Sequence, residues 1–174
     1  MPWPSFVFAV LVSVTLPACA PALDWREVRA EGTGIVASFP CKPDRHARDV
    51  ALAGARLRMD LLVCEAGGAT FGLGYFDLAD PAAVTPAVQR LRDVAQANIG
   101  ANEVREQAVA VPGMTPNPLS VRLVLTGRRP DGAPIQEELA VFVRGLRVYQ
   151  ATVLGERLPS GAVDTFFAGL RFES

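Results

Sequence analysis

Two cysteines, an aspartate and a histidine are the residues of this chain whose types and spacing could support chemistry. Cys41, Asp44 and His46 lie close together in the sequence, and Cys64 follows further along. Zinc favours tetrahedral sets of thiolate and imidazole ligands, so these four side chains could form a metal site. A thiolate activated by a nearby imidazole would instead be a nucleophile. Either site has to use His46, because it is the only histidine of the chain.

The first 22 residues indicate the cellular compartment in which these cysteines are located. Residues 6–16 form an almost unbroken apolar run that is too short to span a bilayer and is followed by small residues typical of a processing site. We therefore predict a signal peptide over residues 1–22 and a single exported domain over residues 23–174. Residues 1–5 contain no Lys or Arg, which is unusual for a secretory leader.

Two processing routes fit the end of the leader. Residues 16–19 (Leu-Pro-Ala-Cys) are similar to a lipobox, which would make Cys19 the lipidated first residue of the mature protein. Residues 20–22 (Ala-Pro-Ala) offer a signal-peptidase site with cleavage before Leu23. Both routes place the domain in an oxidising compartment.

In such a compartment the two remaining cysteines most simply form one disulfide, Cys41–Cys64. This bond would use both thiolates, so the metal or thiol site at Cys41, Asp44, His46 and Cys64 becomes the alternative. One detail complicates the pairing. Cys41 shares a strand face with Phe39, whereas Cys64 lies opposite the apolar series of its own strand, so we expect a bulge or a strand end near Cys64.

The amino-acid composition limits the classes of binding partner that we expect. Half of the chain is apolar, and the formal net charge is −1. A nearly neutral chain has no global field that would attract nucleic acid or an anionic membrane, and its arginines form no cluster. We expect no nucleic-acid partner, and membrane contact only through a lipid on Cys19.

Two-residue alternation of apolar and polar side chains dominates the domain and predicts strands with one buried face. Two hairpins are expected, each formed around a short turn, then two further strands and a C-terminal meander of three strands. The predicted strands cover residues 25–30, 34–40, 48–52, 55–64, 70–78, 103–111, 119–125, 135–143 and 146–154.

Apolar residues recur at helical spacing in two segments of the chain. Val84, Val88, Leu91, Ala95 and Ile99 form one apolar stripe, in a helix that begins at an Asp-Pro or Thr-Pro pair and stops at Gly100. Ser160 is the predicted cap of a short C-terminal helix with Val163, Phe166, Phe167 and Leu170 on one face. The elements predict an α+β fold, in which a central and a C-terminal helix cover an antiparallel sheet.

Three segments carry a resemblance to a known family. Residues 34–40 (Gly-Ile-Val-Ala-Ser-Phe-Pro), 149–155 (Tyr-Gln-Ala-Thr-Val-Leu-Gly) and 162–171 resemble the PsbP-like domains of exported bacterial proteins. Residues 39–46 (Phe-Pro-Cys-Lys-Pro-Asp-Arg-His) are similar to a motif of secreted proteobacterial proteins. The resemblance implies an antiparallel sheet between helices, and a periplasmic or lipid-anchored protein in the envelope of a Gram-negative bacterium. It implies no activity, and related folds serve as assembly factors or adaptors.

Other candidate residues favour structural roles. Gly72 and Gly74 lack the third glycine of a nucleotide fingerprint and indicate close packing instead. Glu137 and Glu138 are neighbours on a predicted strand, so they point to opposite faces and cannot form one site. We interpret both glutamates as solvated charge.

The same interpretation applies to Asp77 and Asp80. Two surface segments remain as candidates for recognition, the loop over residues 112–118 and the turn over residues 42–46. The sequence thus predicts a non-enzymatic envelope protein without a cofactor, which binds an envelope protein partner or assists assembly.

Overall fold

The computed structural model describes residues 23–52 and 55–173. Within these ranges the chain forms ten strands, two α-helices and a short 3-10 turn, Pro81–Ala83, just before the first helix. The strands are β1 (Arg26–Arg29), β2 (Ile35–Phe39), β3 (Asp44–Leu52), β4 (Ala55–Ala66), β5 (Ala69–Asp77), β6 (Glu103–Gln107), β7 (Val121–Arg128), β8 (Pro134–Arg144), β9 (Arg147–Gly155) and β10 (Arg171–Phe172). The helices are α1 (Val84–Asn98) and α2 (Ser160–Ala168).

The strands form two antiparallel sheets. The large sheet has seven strands in the order β3-β4-β5-β9-β8-β7-β6, and the small sheet has three in the order β1-β2-β10. Both predicted hairpins and the C-terminal meander β7-β8-β9 are present. The α+β class is therefore confirmed, although the N-terminal hairpin lies in a separate sheet with β10, a strand that the sequence analysis did not predict.

One face of the large sheet packs against α1, and we call this interface the first core. Every residue of the predicted helical stripe is buried there, including Val88 and Leu91. The stripe meets β7, β8 and β9 through side chains such as Leu123, Leu139 and Val148. The helical period of the sequence thus matches the face that α1 buries.

The opposite face packs against the small sheet and α2, and we call this interface the second core. Its centre is aromatic: the Phe166 ring lies 5.3 Å from that of Phe39 and 5.5 Å from that of Phe71, both edge-on. Phe142 stacks on Tyr149 at 5.3 Å. Edge-on and offset rings stabilise such a core beyond their buried area. The domain therefore has three layers, with the large sheet in the middle.

The disulfide joins two of these layers. The Sγ atoms of Cys41 and Cys64 lie 2.13 Å apart. Cys64 and Leu62 point into the second core, whereas Met59 points into the first, so β4 buries apolar side chains on both faces. Cys41 follows β2 after Pro40 and reaches Cys64 across the layers. Of the two predicted alternatives, the bulge is absent because the β4–β5 register is unbroken through Cys64, and Cys64 instead lies near the end of β4, just past the point at which the pairing with β3 ends at Val63.

A second connection between the sheets is polar. The Arg147 guanidinium donates to both carboxylate oxygens of Asp77, at 2.6 and 2.7 Å, and to the Gly32 carbonyl at 2.7 Å. The Tyr149 hydroxyl donates to the Thr33 carbonyl at 3.2 Å. The Asp77 carboxylate raises the pKa of Arg147. These contacts hold the β1–β2 turn of the small sheet against the large sheet.

Three boundary predictions need correction. Strand β3 begins at Asp44 rather than at residue 48, because its backbone pairs with the long strand β4 while its exposed side chains show no alternation. Strand β6 ends at Gln107, after which the chain turns so that Val111 enters the second core. Ser160 is not the helix cap: Pro159 occupies that position, and no side chain caps the first turn.

Removal of the disulfide tests how much it contributes to stability. The bond closes a loop with a sequence separation of 23 residues. The chain-entropy account of such a loop gives about 3 kcal/mol. We expect the double variant Cys41→Ala/Cys64→Ala to lose about this free energy of unfolding in urea titrations. Reductant should lower the midpoint of the wild-type protein and leave that of the variant unchanged; a reductant-insensitive wild type would show that the bond does not contribute.

Candidate functional site

The structure does not bring the described residues of the predicted metal or thiol site together as a set of ligands. Both cysteine sulfurs take part in the disulfide, and Cys64 is buried. Asp44 and His46 lie on the exposed edge strand β3 and not in a turn, which corrects the turn predicted over residues 42–46. Among residues 23–52 and 55–173, no three His, Cys, Asp or Glu side chains are grouped to hold a metal ion.

The two adjacent glutamates of β8 do lie on opposite faces, as predicted. Glu138 faces α2 and accepts a hydrogen bond from Arg122 Nε at 2.9 Å. Glu137 faces α1 and is buried, with only 6% of its surface exposed. The interpretation of Glu137 as solvated charge is therefore wrong. Its position in the series Ile135, Glu137, Leu139 of a buried strand face is the sequence pattern that could have revealed this.

An open groove lies on the α1 side of the large sheet, beside the strands on which the helix packs. Its floor includes Gly72 and Gly74 of β5, and its walls include Leu61 and Leu154. The groove has a volume of about 270 Å³. We call it the glycine groove.

The two glycines have different surroundings. A Cβ at Gly74 would lie 3.3 Å from Met59 Cε, so this glycine accommodates a packed side chain, as the sequence predicted. A Cβ at Gly72 would have only the Leu62 carbonyl oxygen nearby, at 3.9 Å. The absence of a side chain at Gly72 therefore leaves space that belongs to the groove.

A smaller cavity of about 140 Å³ adjoins the glycine groove, between the second half of α1 and the β3–β4 hairpin. We call it the Glu137 pocket. Its aliphatic walls include Leu52, Leu91 and Val94, and its polar lining includes Asn98 and Glu137. The pocket and the groove share three lining residues, Arg48, Met59 and Gln150, so they lie side by side, and we call the two together the depression.

Glu137 is the electrostatically unusual group of this depression. Its neighbours across the strands are Leu125 and Leu154, and its side chain makes no hydrogen bond or ion pair within the described part of the chain. Burial without a partner disfavours the charged form and raises the pKa of Glu137 to about 7. Near neutral pH this carboxyl group can therefore either donate a hydrogen bond or, once ionised, pair with a cation.

The loop over residues 112–118 forms a second surface, as predicted, but it is well anchored. Thr115 N–H donates to the Val143 carbonyl at 2.7 Å, and Phe172 N–H donates to the Pro112 carbonyl at 2.9 Å. Asn117 contacts the Thr85 hydroxyl at 3.1 Å. These internal hydrogen bonds support a connecting role between the layers, while most of the loop's side chains are exposed.

The remaining predicted carboxylates have structural partners. Asp77 pairs with Arg147, as described above, and Asp80 accepts a hydrogen bond from Ala82 N–H at 2.8 Å at the start of the 3-10 turn. They do not form a paired-carboxylate site.

The fold and the depression define an α+β domain in which a buried carboxylate adjoins an open groove. No protein-family model matches the chain, and no curated protein matches it. Among the described residues, no helix is both long and apolar enough to cross a membrane.

The variant Glu137→Gln tests the burial of this carboxyl group. Because burial raises the pKa of Glu137 from 4.5 to about 7 in the folded state, the wild-type protein loses stability as the pH rises from 4.5 to about 7, where the unfolded chain releases this proton more readily. We compare the free energies of unfolding of the variant and the wild type at two pH values. The difference, variant minus wild type, should be up to about 3 kcal/mol larger at pH 8 than at pH 4. Urea titrations at both pH values measure this.

Glu138→Gln is the matched control on the opposite face. It removes the partner of Arg122, so no gain at alkaline pH is expected. A Glu137→Gln variant whose difference from the wild type does not change between pH 4 and pH 8 would contradict the burial of an unpartnered carboxyl group.

Proposed function

We propose that the chain is a non-enzymatic, exported envelope protein that binds a ligand in the glycine groove and the Glu137 pocket. The observation that carries this proposal is a buried carboxyl group without a partner, next to an open groove. The side chain is buried but lines the pocket, so a ligand there could supply the partner that buried polar groups normally have. Convergent polar groups and a perturbed pKa in an apolar depression are typical of binding sites.

The proposed location depends on the disulfide and on the leader. A disulfide at Cys41–Cys64 is compatible with an oxidising compartment and supports a periplasmic or lipid-anchored protein. Cys19 and both processing routes lie outside the described residues, so signal cleavage and lipidation remain proposals from the sequence.

The layer arrangement supports the proposed PsbP-like architecture. A seven-stranded antiparallel sheet has α1 on one face and α2, with the small sheet, on the other. An envelope protein partner remains part of this proposal, and the exposed loop over residues 112–118 is the surface we assign to it.

The alternative proposal is a metal or thiol site at Cys41, Asp44, His46 and Cys64. It requires reduction of the disulfide before either thiolate could act. The depression around Glu137 needs no such change, and we therefore favour a binding function.

The variant Gly72→Val tests the groove as a binding site. Valine suits a strand, the backbone of Gly72 is not in the left-handed region, and the added side chain would fill the groove. We expect the neutral fluorescent probe N-phenyl-1-naphthylamine to bind the wild type, and its affinity for the variant to fall at least about tenfold, or 1.4 kcal/mol. Fluorescence titration measures both affinities.

Gly161→Ala is the control, because this glycine of α2 lies in open space away from the groove. Circular dichroism should show the same folded content for all three proteins. Unchanged binding by Gly72→Val, or a wild type that does not bind the probe, would argue against the groove as the site.

A further inference from the structure

We propose that the Glu137 pocket binds a primary ammonium group, and that the aliphatic chain of the same ligand lies in the glycine groove. This inference rests on the proposed function and names the chemical class of the ligand. It follows from three features of the depression: the charge at its base, the polar atoms around that charge, and the apolar path that leads away from it.

The charge at the base is a carboxylate with no counter-ion. Glu137 is buried between Leu125 and Leu154, and its ionised form has neither a hydrogen bond nor an ion pair within the described chain. A bound cation would supply the missing partner and favour ionisation. A ligand carboxylate would leave Glu137 without a counter-ion and add a like charge. The pocket therefore complements a cation.

The charged surroundings of Glu137 are sparse. Arg48 on β3 is the other charged side chain that lines the pocket. Its guanidinium contacts Met59 Sδ at 4.0 Å and forms no ion pair with Glu137. Arg48 is exposed at the junction with the groove, where the high dielectric constant of water weakens its repulsion of a bound cation. The groups facing Glu137 from α1, β7 and β9 are neutral, so a ligand cation has Glu137 as its favoured position.

The other polar atoms suit an ammonium group, which has three hydrogens to donate. Gln150 donates its amide nitrogen to Thr152 Oγ1 at 3.3 Å, which leaves its carbonyl oxygen available as an acceptor. Asn98, at the end of α1, is a second amide side chain in the lining of the same pocket. One carboxylate and two amide side chains can offer acceptors to three N–H donors. Only one carboxylate is present, which is a poor set for a divalent metal ion.

The aliphatic part of the ligand would leave the pocket past the side chains that the pocket shares with the groove. Beyond Met59 and Gln150 the groove runs over Gly72, between Leu61 and Leu154. An alkyl chain in this groove would bury apolar surface on both sides. A linear alkylammonium ion therefore combines the two parts of the site, with its charge in the pocket and its chain in the groove.

Calorimetric titration with n-hexylammonium chloride tests the inference, with n-hexanol and sodium n-hexanoate as probes of the same length. At pH 8 we expect hexylammonium to bind at least about tenfold more tightly than either comparison compound. A proton competes with the ligand for Glu137 at lower pH. With a Glu137 pKa of about 7, the affinity for hexylammonium should therefore fall about 30-fold between pH 8 and pH 5.5.

Two variants assign the effect to one carboxyl group. Glu137→Gln should lose both the preference for hexylammonium and the dependence on pH, whereas Glu138→Gln should keep both. As an independent readout, titrations at pH 6 in buffers of different ionisation enthalpy should show release of roughly one proton per hexylammonium bound by the wild type.

The possible outcomes separate this inference from the proposed function. If hexanol binds as tightly as hexylammonium, or hexanoate binds more tightly, the inference is wrong while a ligand-binding groove is retained. If none of the three compounds binds the wild type, the inference is again wrong, and the naphthylamine titration decides independently whether the groove binds ligands at all.

Discussion

The structure depends on one constraint: the large antiparallel sheet has apolar side chains on both faces, so both faces need a covering layer. An α-helix about 10 Å wide covers roughly two strands at their spacing of about 4.8 Å. The single helix α1 therefore cannot cover seven strands, and it packs on β8 and β9. The strands β5 and β4 beyond it remain partly open on that face. The glycine groove is a direct consequence of this incomplete cover.

The opposite face has a more extensive cover and is fastened at two places. The small sheet and α2 pack over an aromatic cluster, and the Cys41–Cys64 disulfide joins this layer to β4. Arg147 and Tyr149 hold the β1–β2 turn at another point. Because this side is cross-linked by the disulfide and by these polar contacts, it can serve as a rigid support for the α1 side. The proposed ligand site therefore lies on a rigid part of the fold, as is common for binding sites built on sheets.

The sequence predicted the helices and strands better than it predicted how they are arranged in layers. The periodicity of apolar residues predicted the α1 stripe and the C-terminal meander. The predicted oxidising compartment led to the pairing of Cys41 with Cys64. The structure has all three features. Alternation placed Cys64 on the opposite strand face from Met59 and Leu61, as observed, but it does not report which layer covers a face. The separate small sheet, and the layer that buries Cys64, were therefore not predictable. Glu137 was missed because a charged side chain was interpreted as solvated even though it lies between Ile135 and Leu139 on the apolar face of β8. Exposed edge strands such as β3 and β6 carry little pattern, and their bounds were wrong for that reason.

Native mass spectrometry of the protein, isolated gently from the cells that produce it, tests the account most directly. The account predicts an oxidised Cys41–Cys64 pair and a non-covalent adduct of small organic mass that is lost on denaturation and is absent from Gly72→Val. Reduced cysteines with a stoichiometric metal ion would contradict it and support the site at Cys41, Asp44, His46 and Cys64. An adduct retained unchanged by Gly72→Val would contradict the assignment of the glycine groove as the binding site.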